Sequence, residues 1–263
     1  MDTSTTYIIE NCNNLTATEL ASHLKRDVSS IRNTLKRLNI SAKKHKFNNI
    51  EILLDQTNVS AYWIGFLLAD GWVSGNTSIA LELGSKDKEH IEKYAKYVGA
   101  KVGKYVRNTN FKKNYTYFNV TTRNCEVVPK ICSKYDINER KTTNPPKLSL
   151  YNITDDQWIS LFIGFVDGDG CIYRTKTGYN KINIQIHPSW KNNLEFLNKR
   201  IHDILNQSSR AKVLNINNGT VALCISKEST IQCLLECVQR YNLPILTRKW
   251  SKITPSLYIP PTH

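Results

Sequence analysis

The sequence predicts an α+β fold: tandem αββαββα repeats forming a pseudo-twofold saddle, preceded by a small all-α domain. Three observations predict it. Residues 63–71 read WIGFLLADG and residues 162–170 read FIGFVDGDG, each an apolar run with small residues inside it that ends in an acid and a glycine. After each run, strand-period and helix-period segments follow in the same order. Residues 1–45 belong to neither copy and carry helical periodicity. The expected divisions are 1–45, a linker at 46–58, a first copy at 59–144, a second linker at 145–152, rich in proline and polar groups at its start, and a second copy at 153–263.

In the first segment, Thr16 is placed to cap a helix with Glu19 three residues on, and Leu20, Ala21 and Leu24 give that helix an apolar face. Lys25–Val28 turns the chain, and a second helix runs through Ile31, Leu35 and Leu38. The run LTATELASHLKRDVSSIRNTLKRL resembles a helix-turn-helix. In that geometry Ser29, Ser30, Arg32, Asn33 and Lys36 can approach a major groove or its phosphates. Residues 21–46 hold eight Lys or Arg against one acid, Asp27, and the bias continues through KKHK at 43–46.

In the first copy, Ile79, Leu81 and Leu83 alternate with Ser78, Ala80 and Glu82, which is strand period. Asp87–Val98 has helical spacing, Lys101–Arg107 and Tyr115–Val120 read as strands, and Arg123–Tyr135 reads as a helix that Pro129 bends or shortens. The second copy repeats the order: Cys171–Thr175, a turn at Thr177 and Gly178, then Lys181–Ile186, with Ile182, Ile184 and Ile186 on one face. A helix at Trp190–Leu205, strands at Ala211–Ile216 and Thr220–Ile225, and a helix at Glu228–Tyr241 complete it. A four-stranded sheet with one apolar face needs helices to cover that face, which leaves the polar face open.

The motif helices carry Gly65, Ala69 and Gly71 in one copy and Gly164, Gly168 and Gly170 in the other. Small residues let two helices approach closely, while Trp63, Phe66, Leu67, Phe162, Phe165 and Val166 face the cores. Asp70 and Asp169 fall at helix C-termini, where the helix field disfavours an anion. Bringing them together adds like-charge repulsion. A bound divalent cation offsets both costs, and oxygen ligands suit Mg²⁺, with Mn²⁺ as a substitute. Such an ion orients water and stabilises charge on a phosphate. Asp167 has Leu68 as its mate, so it is expected to act as a cap or local acceptor rather than a symmetric ligand.

The 263-residue chain has a net charge of +14, which favours a polyanionic partner. No apolar stretch has the length of a membrane span, and the first residues lack the pattern of a secretory signal. Seven scattered cysteines, an odd number with no C-x-x-C pair, fit a reducing, intracellular compartment.

The paired motifs resemble the LAGLIDADG, or dodecapeptide, motifs of homing endonucleases, in the single-chain form with two motifs. The resemblance carries the family's acidic metal ligand onto Asp70 and Asp169. It implies a monomer, intron homing, and Mg²⁺-dependent double-strand cleavage of a long asymmetric DNA site, with the sheets in the major groove. It also implies basic residues beside the acids, for which Lys227 and Arg123 are the candidates, with Lys141 and Lys249 as phosphate contacts.

Base and phosphate contacts are expected on the outer sheet faces: Lys101, Tyr105, Arg107, Tyr115, Tyr117 and Asn119 in the first copy. In the second copy they are expected at Arg174, Lys176, Lys181, Asn183, Gln185, Arg210, Lys212 and Asn215. Two alternatives use the same scaffold: a maturase that holds group I intron RNA, and a catalytically silent DNA-binding regulator.

Overall fold

A computed structural model describes residues 3–42, 49–108, 113–208, 212–216 and 219–253. The chain forms two compact units, residues 1–47 and 48–263. The KKHK segment and Arg210 lie outside the described residues.

The first unit holds α1 (Thr3–Asn11), α2 (Ala17–Leu24) and α3 (Val28–Arg37). Its own small core centres on Ile8, Leu20 and Ile31, all fully buried. The expected capping box starts α2: Glu19 N donates to Thr16 Oγ1 at 3.2 Å and Thr16 N to Glu19 Oε2 at 2.8 Å. Lys25 ends the helix in the left-handed region, at φ 50°. Asp27 caps α3, accepting from Ser29 N at 2.7 Å, so the helix already includes Val28, the last residue of the expected turn.

In the second unit the motif helix α4 (Asn58–Asp70) leads directly into β1 (Gly71–Ser74), β2 (Ser78–Gly84), α5 (Lys88–Tyr97), β3 (Gly103–Arg107), β4 (Tyr115–Arg123) and α6 (Val127–Lys134). The second copy runs α7 (Asp155–Asp169), β5 (Gly170–Arg174), β6 (Asn180–Ile186), α8 (Lys191–Ile204), β7 (Lys212–Ile216), β8 (Thr220–Ile225) and α9 (Glu228–Arg240), followed by the short α10 (Thr247–Trp250). Each copy forms one four-stranded antiparallel sheet, in the orders β1-β2-β4-β3 and β5-β6-β8-β7. The α+β fold of two repeats is therefore present, and the six core-facing residues expected on the motif helices are at most 2% exposed.

Three expectations need correction. The 46–58 segment is not only a connector: Ile50–Leu54 forms a 3₁₀ turn whose Ile50 and Leu53 are fully buried in the core. The 145–152 linker is pinned in the same way by Leu148 and Tyr151. Arg123–Tyr135 is not one helix, because Arg123 is the last residue of β4 and Asn124 Oδ1 accepts from Glu126 N and Val127 N, both at 3.0 Å, to start α6. Pro129 sits in the first turn of that helix, where its missing N–H costs little.

Candidate active site

The two motif helices meet backbone to backbone. A Cβ on Gly65 would collide with the Leu161 carbonyl, and one on Gly164 with the Tyr62 carbonyl. Further along, a Cβ on Gly168 would overlap that of Ala69, one residue before the acid. Glycines thus bring the helix ends, and with them Asp70 and Asp169, together. Neither helix continues, because Gly71 and Gly170 turn straight into extended backbone at ψ 163° and 158°.

Each end receives a lysine. Lys141 Nζ donates to Leu68 O at 2.7 Å and Ala69 O at 2.6 Å. Lys249 Nζ lies 3.1 Å from Val166 O, 2.5 Å from Asp167 O, 3.0 Å from Gly168 O and 2.6 Å from Gly170 O. An ammonium has three hydrogens, so at least one is shared. Both amines sit where the helix field is negative.

Asp70 keeps solvent access, yet the protein around it displaces enough water to raise its pKa to about 6, with the Asp169 charge adding to the rise and Lys249 and Lys141 opposing it. Burial also raises Asp169, again against both lysines. Burial lowers both lysines, against the pull of the carboxylates. Two acids and two ammonium groups therefore share one electrostatic cluster.

Asp167 is an acceptor, as expected, but its partners are far away in sequence. It accepts from Tyr62 Oη at 2.7 Å, Leu246 N at 2.9 Å and Trp250 Nε1 at 2.7 Å. These bonds hold the segment that delivers Lys249. The same segment places Arg248 against Asp87, with Nε to Oδ1 at 2.5 Å and Nη2 to Oδ2 at 2.7 Å, clasping the end of the second copy onto the first.

Tyr62 also touches His90 Nε2 at 3.2 Å. Since Tyr62 spends its hydroxyl proton on Asp167, the imidazole must donate from Nε2. Burial, aided by Lys93, lowers His90 to about 3, while burial raises Asp167 to about 6. The signs oppose each other. His90 contributes stability that is complete above its unfolded value of 6.5 and falls as pH drops towards 3. Asp167 favours folding most below its unfolded value of 3.8, and that contribution is lost as pH rises through 6. A His90→Phe variant should therefore lose less stability than the wild type between pH 6.5 and 4, read as denaturant midpoints. A parallel decline would sink this assignment.

Lys227 and Arg123 are not brought to the acids. Arg123 pairs with Ser78, which pairs with Ser74 at the far end of β1. Lys227 lies beyond Ile225, which is in line with Ile172, and its Nζ donates to Ser208 Oγ at 2.9 Å. Nor are they mates. Val120 pairs with Leu81 as Leu223 pairs with Ile184, so Arg123 matches Ser226 and Asn124 matches Lys227. The basic groups at the acids are Lys141 and Lys249; at 6% exposure, Lys249 is no outward phosphate contact. The signal was the recurrence of Arg140-Lys141 and Arg248-Lys249 at the end of each copy.

On the first sheet, Tyr105, Arg107, Tyr115, Tyr117 and Asn119 share the outer face. Tyr105 and Tyr117 stack at 5.5 Å, and Arg107 lies 4.3 Å over Tyr117 while paired with Glu82 at 2.5 Å. Lys101 is exposed just before β3. On the second sheet, Lys181, Asn183 and Gln185 face outward, with Gln185 donating to Thr220 Oγ1 at 2.8 Å. Lys212 begins β7 and its backbone pairs with Cys224. Lys176 is exposed in the β5–β6 turn. Arg174 and Asn215 do not extend this face: side chains alternate along a strand, and these two fall on the side of Ile172 and Val221. In the first unit, Ser29, Arg32, Asn33 and Lys36 are exposed on α3, and Ser30 accepts from Arg26 Nη2 at 3.2 Å.

No family model and no curated protein sequence matches the chain. Solved structures do. The homing endonuclease I-WcaI, bound to its DNA recognition sequence, superposes with a TM-score of 0.56 at 16% identity, over 75% of this chain and 87% of that one. The LAGLIDADG meganuclease I-AabMI bound to uncleaved DNA gives 0.46 at 16% identity, over 72% and 86%. The N-terminal LAGLIDADG domain of WhiA gives 0.43 at 17% identity, over 74% and 84%. The fold is that of the LAGLIDADG homing endonucleases.

Proposed function

We propose that this chain is a site-specific endonuclease that makes a metal-dependent double-strand break in a long, asymmetric DNA duplex by phosphodiester hydrolysis. The observation that carries this reading is the twin cluster at the motif-helix ends, where Asp70 and Asp169 are forced together by glycine packing and each helix end is held by its own lysine. I-WcaI, which shares the fold, is a homing endonuclease, and intron homing is the matching biological setting. A single chain supplies both halves, so a monomer suffices.

The donor set suits Mg²⁺ or Mn²⁺. Asp70 and Asp169 offer hard oxygen ligands, and among the described residues no group of three or more His, Cys, Asp or Glu could hold a metal. Mg²⁺ commonly keeps several waters and uses one or two carboxylates plus phosphate oxygens. When bound, the ion supplies a polarised water and positive charge at the phosphate. Lys141 and Lys249 offset the helix-end fields, which allows the acids to remain ionised side by side. The outer sheet faces would track the duplex, and α3, with Arg32, Asn33 and Lys36, would lengthen the footprint. With a net charge of +14, binding should weaken steeply with salt.

The test is cleavage selection on randomised or host-derived duplex DNA with Mg²⁺, with Asp70→Asn and Asp169→Asn as controls. A defined double-strand cut that both variants lose is the expected result. If a bound sequence stays uncut, RNA splicing or regulation becomes the better reading.

A further inference from the structure

The two outward sheet faces share one topology but differ in chemistry at matched places. Gly71 pairs with Leu81 as Gly170 pairs with Ile184, which fixes the correspondence between the sheets. One residue along, the row next to the motif end is Trp72–Ala80–Thr121 in the first copy and Cys171–Asn183–Cys224 in the second.

The first row is apolar. Trp72 is 43% exposed, and Ala80, which faces outward beside it, is fully covered. The hydroxyl of Thr121 is already spent on Asn119 Oδ1 at 2.7 Å, so the row presents ring and methyl surface. In the second row the half-exposed Asn183 stands between two thiols, which are weak hydrogen-bonding partners. Among the described residues no hydrogen bond holds its amide. A primary amide sets a donor and an acceptor side by side, the pattern that matches N7 and N6 of adenine in the major groove. Ring and methyl surface matches the C5-methyl of thymine instead.

We propose that Asn183 reads an adenine in one half-site, and that the matched position of the other half-site is read by apolar contact with Trp72 and Thr121. The two halves of the target then differ at the base pairs facing these rows, and the difference is set by all three matched positions: Trp72, Ala80 and Thr121 on one sheet against Cys171, Asn183 and Cys224 on the other. The inference rests on the DNA-cleaving function proposed above.

The test is binding selection from randomised duplexes without added metal, using the full chain as wild type, Asn183→Ala and Trp72→Ala, each checked for native circular dichroism. The selected duplex is then remade with single thymines replaced by deoxyuridine, which removes only the methyl group. Wild type should select adenine at one position of one half-site, and Asn183→Ala should lose that preference by on the order of 10-fold or more while other positions are unchanged. Deoxyuridine at the matched position of the other half-site should weaken the wild type several-fold and leave Trp72→Ala unaffected. The proposal is overturned if Asn183→Ala keeps every base preference. It is also overturned if that variant binds all sequences more weakly with a shallower salt slope, the mark of a phosphate contact. A wild-type protein that selects no duplex at all would overturn the DNA reading itself, and this inference with it.

Discussion

Gly164→Ala is expected to destabilise the 48–263 unit by at least about 3 kcal/mol, the upper part of the range for overpacked cores. The new methyl would meet the Tyr62 carbonyl and come within 3.0 Å of Phe66 N, and neither group can move without shifting a whole helix. Gly65→Ala should behave alike, because its methyl meets the Leu161 backbone. Gly84→Ala is the control. There the added methyl meets the hydroxyl end of the Tyr115 side chain, which can swing aside, so about 1 kcal/mol or less is expected. Denaturant midpoints for the three variants decide the matter. If Gly164→Ala were as mild as Gly84→Ala, the helices would not be in backbone contact, and the acids would not be held as described.

Lys249→Met should cost about 3 kcal/mol and reduce cleavage on the order of 100-fold or more. Methionine has a similar shape, so the loss is that of charge and donors. Four carbonyls at the end of α7 lose their ammonium partner, and Asp70 and Asp169 lose a positive charge that lowers their pKa. The acid limb of the cleavage pH profile should therefore move to higher pH, a readout that simple unfolding would not produce. Lys141→Met should be milder in stability, since its amine serves two carbonyls and is half-buried. Folded fraction, cleavage rate and pH profile would be measured together. Equal stability losses in the two variants would contradict the unequal anchoring.

Much of the fold was legible because its signals are local. The duplicated motifs place matched helices, and the alternation of Ile182, Ile184 and Ile186 defines a strand with one apolar face. Thr16 and Glu19 mark the start of α2 through a bond spanning three residues. The errors lie where period gives no information. Which face Arg174 and Asn215 share depends on strand phase, and the phase is settled only when Gly170 and Val221 take their partners. Arg123 and Lys227 look equivalent along the chain, yet they differ by one position once both sheets are in register.

The sequence by itself determined the repeat, the α+β class and the pair of acids at the motif ends, because helix and strand periods and repeated glycines are written within a few residues of one another. The tertiary structure alone decided which cations serve those acids and what Asp167 does. Lys141 reaches its helix end from a turn and Lys249 from the short α10, 73 and 83 residues beyond carbonyls they meet, and the partners of Asp167 lie as far as 105 residues away. Contacts of that range leave no periodic trace. They exist only once the final segment of each copy has folded back onto the end of its own motif helix and the two motif helices have packed together.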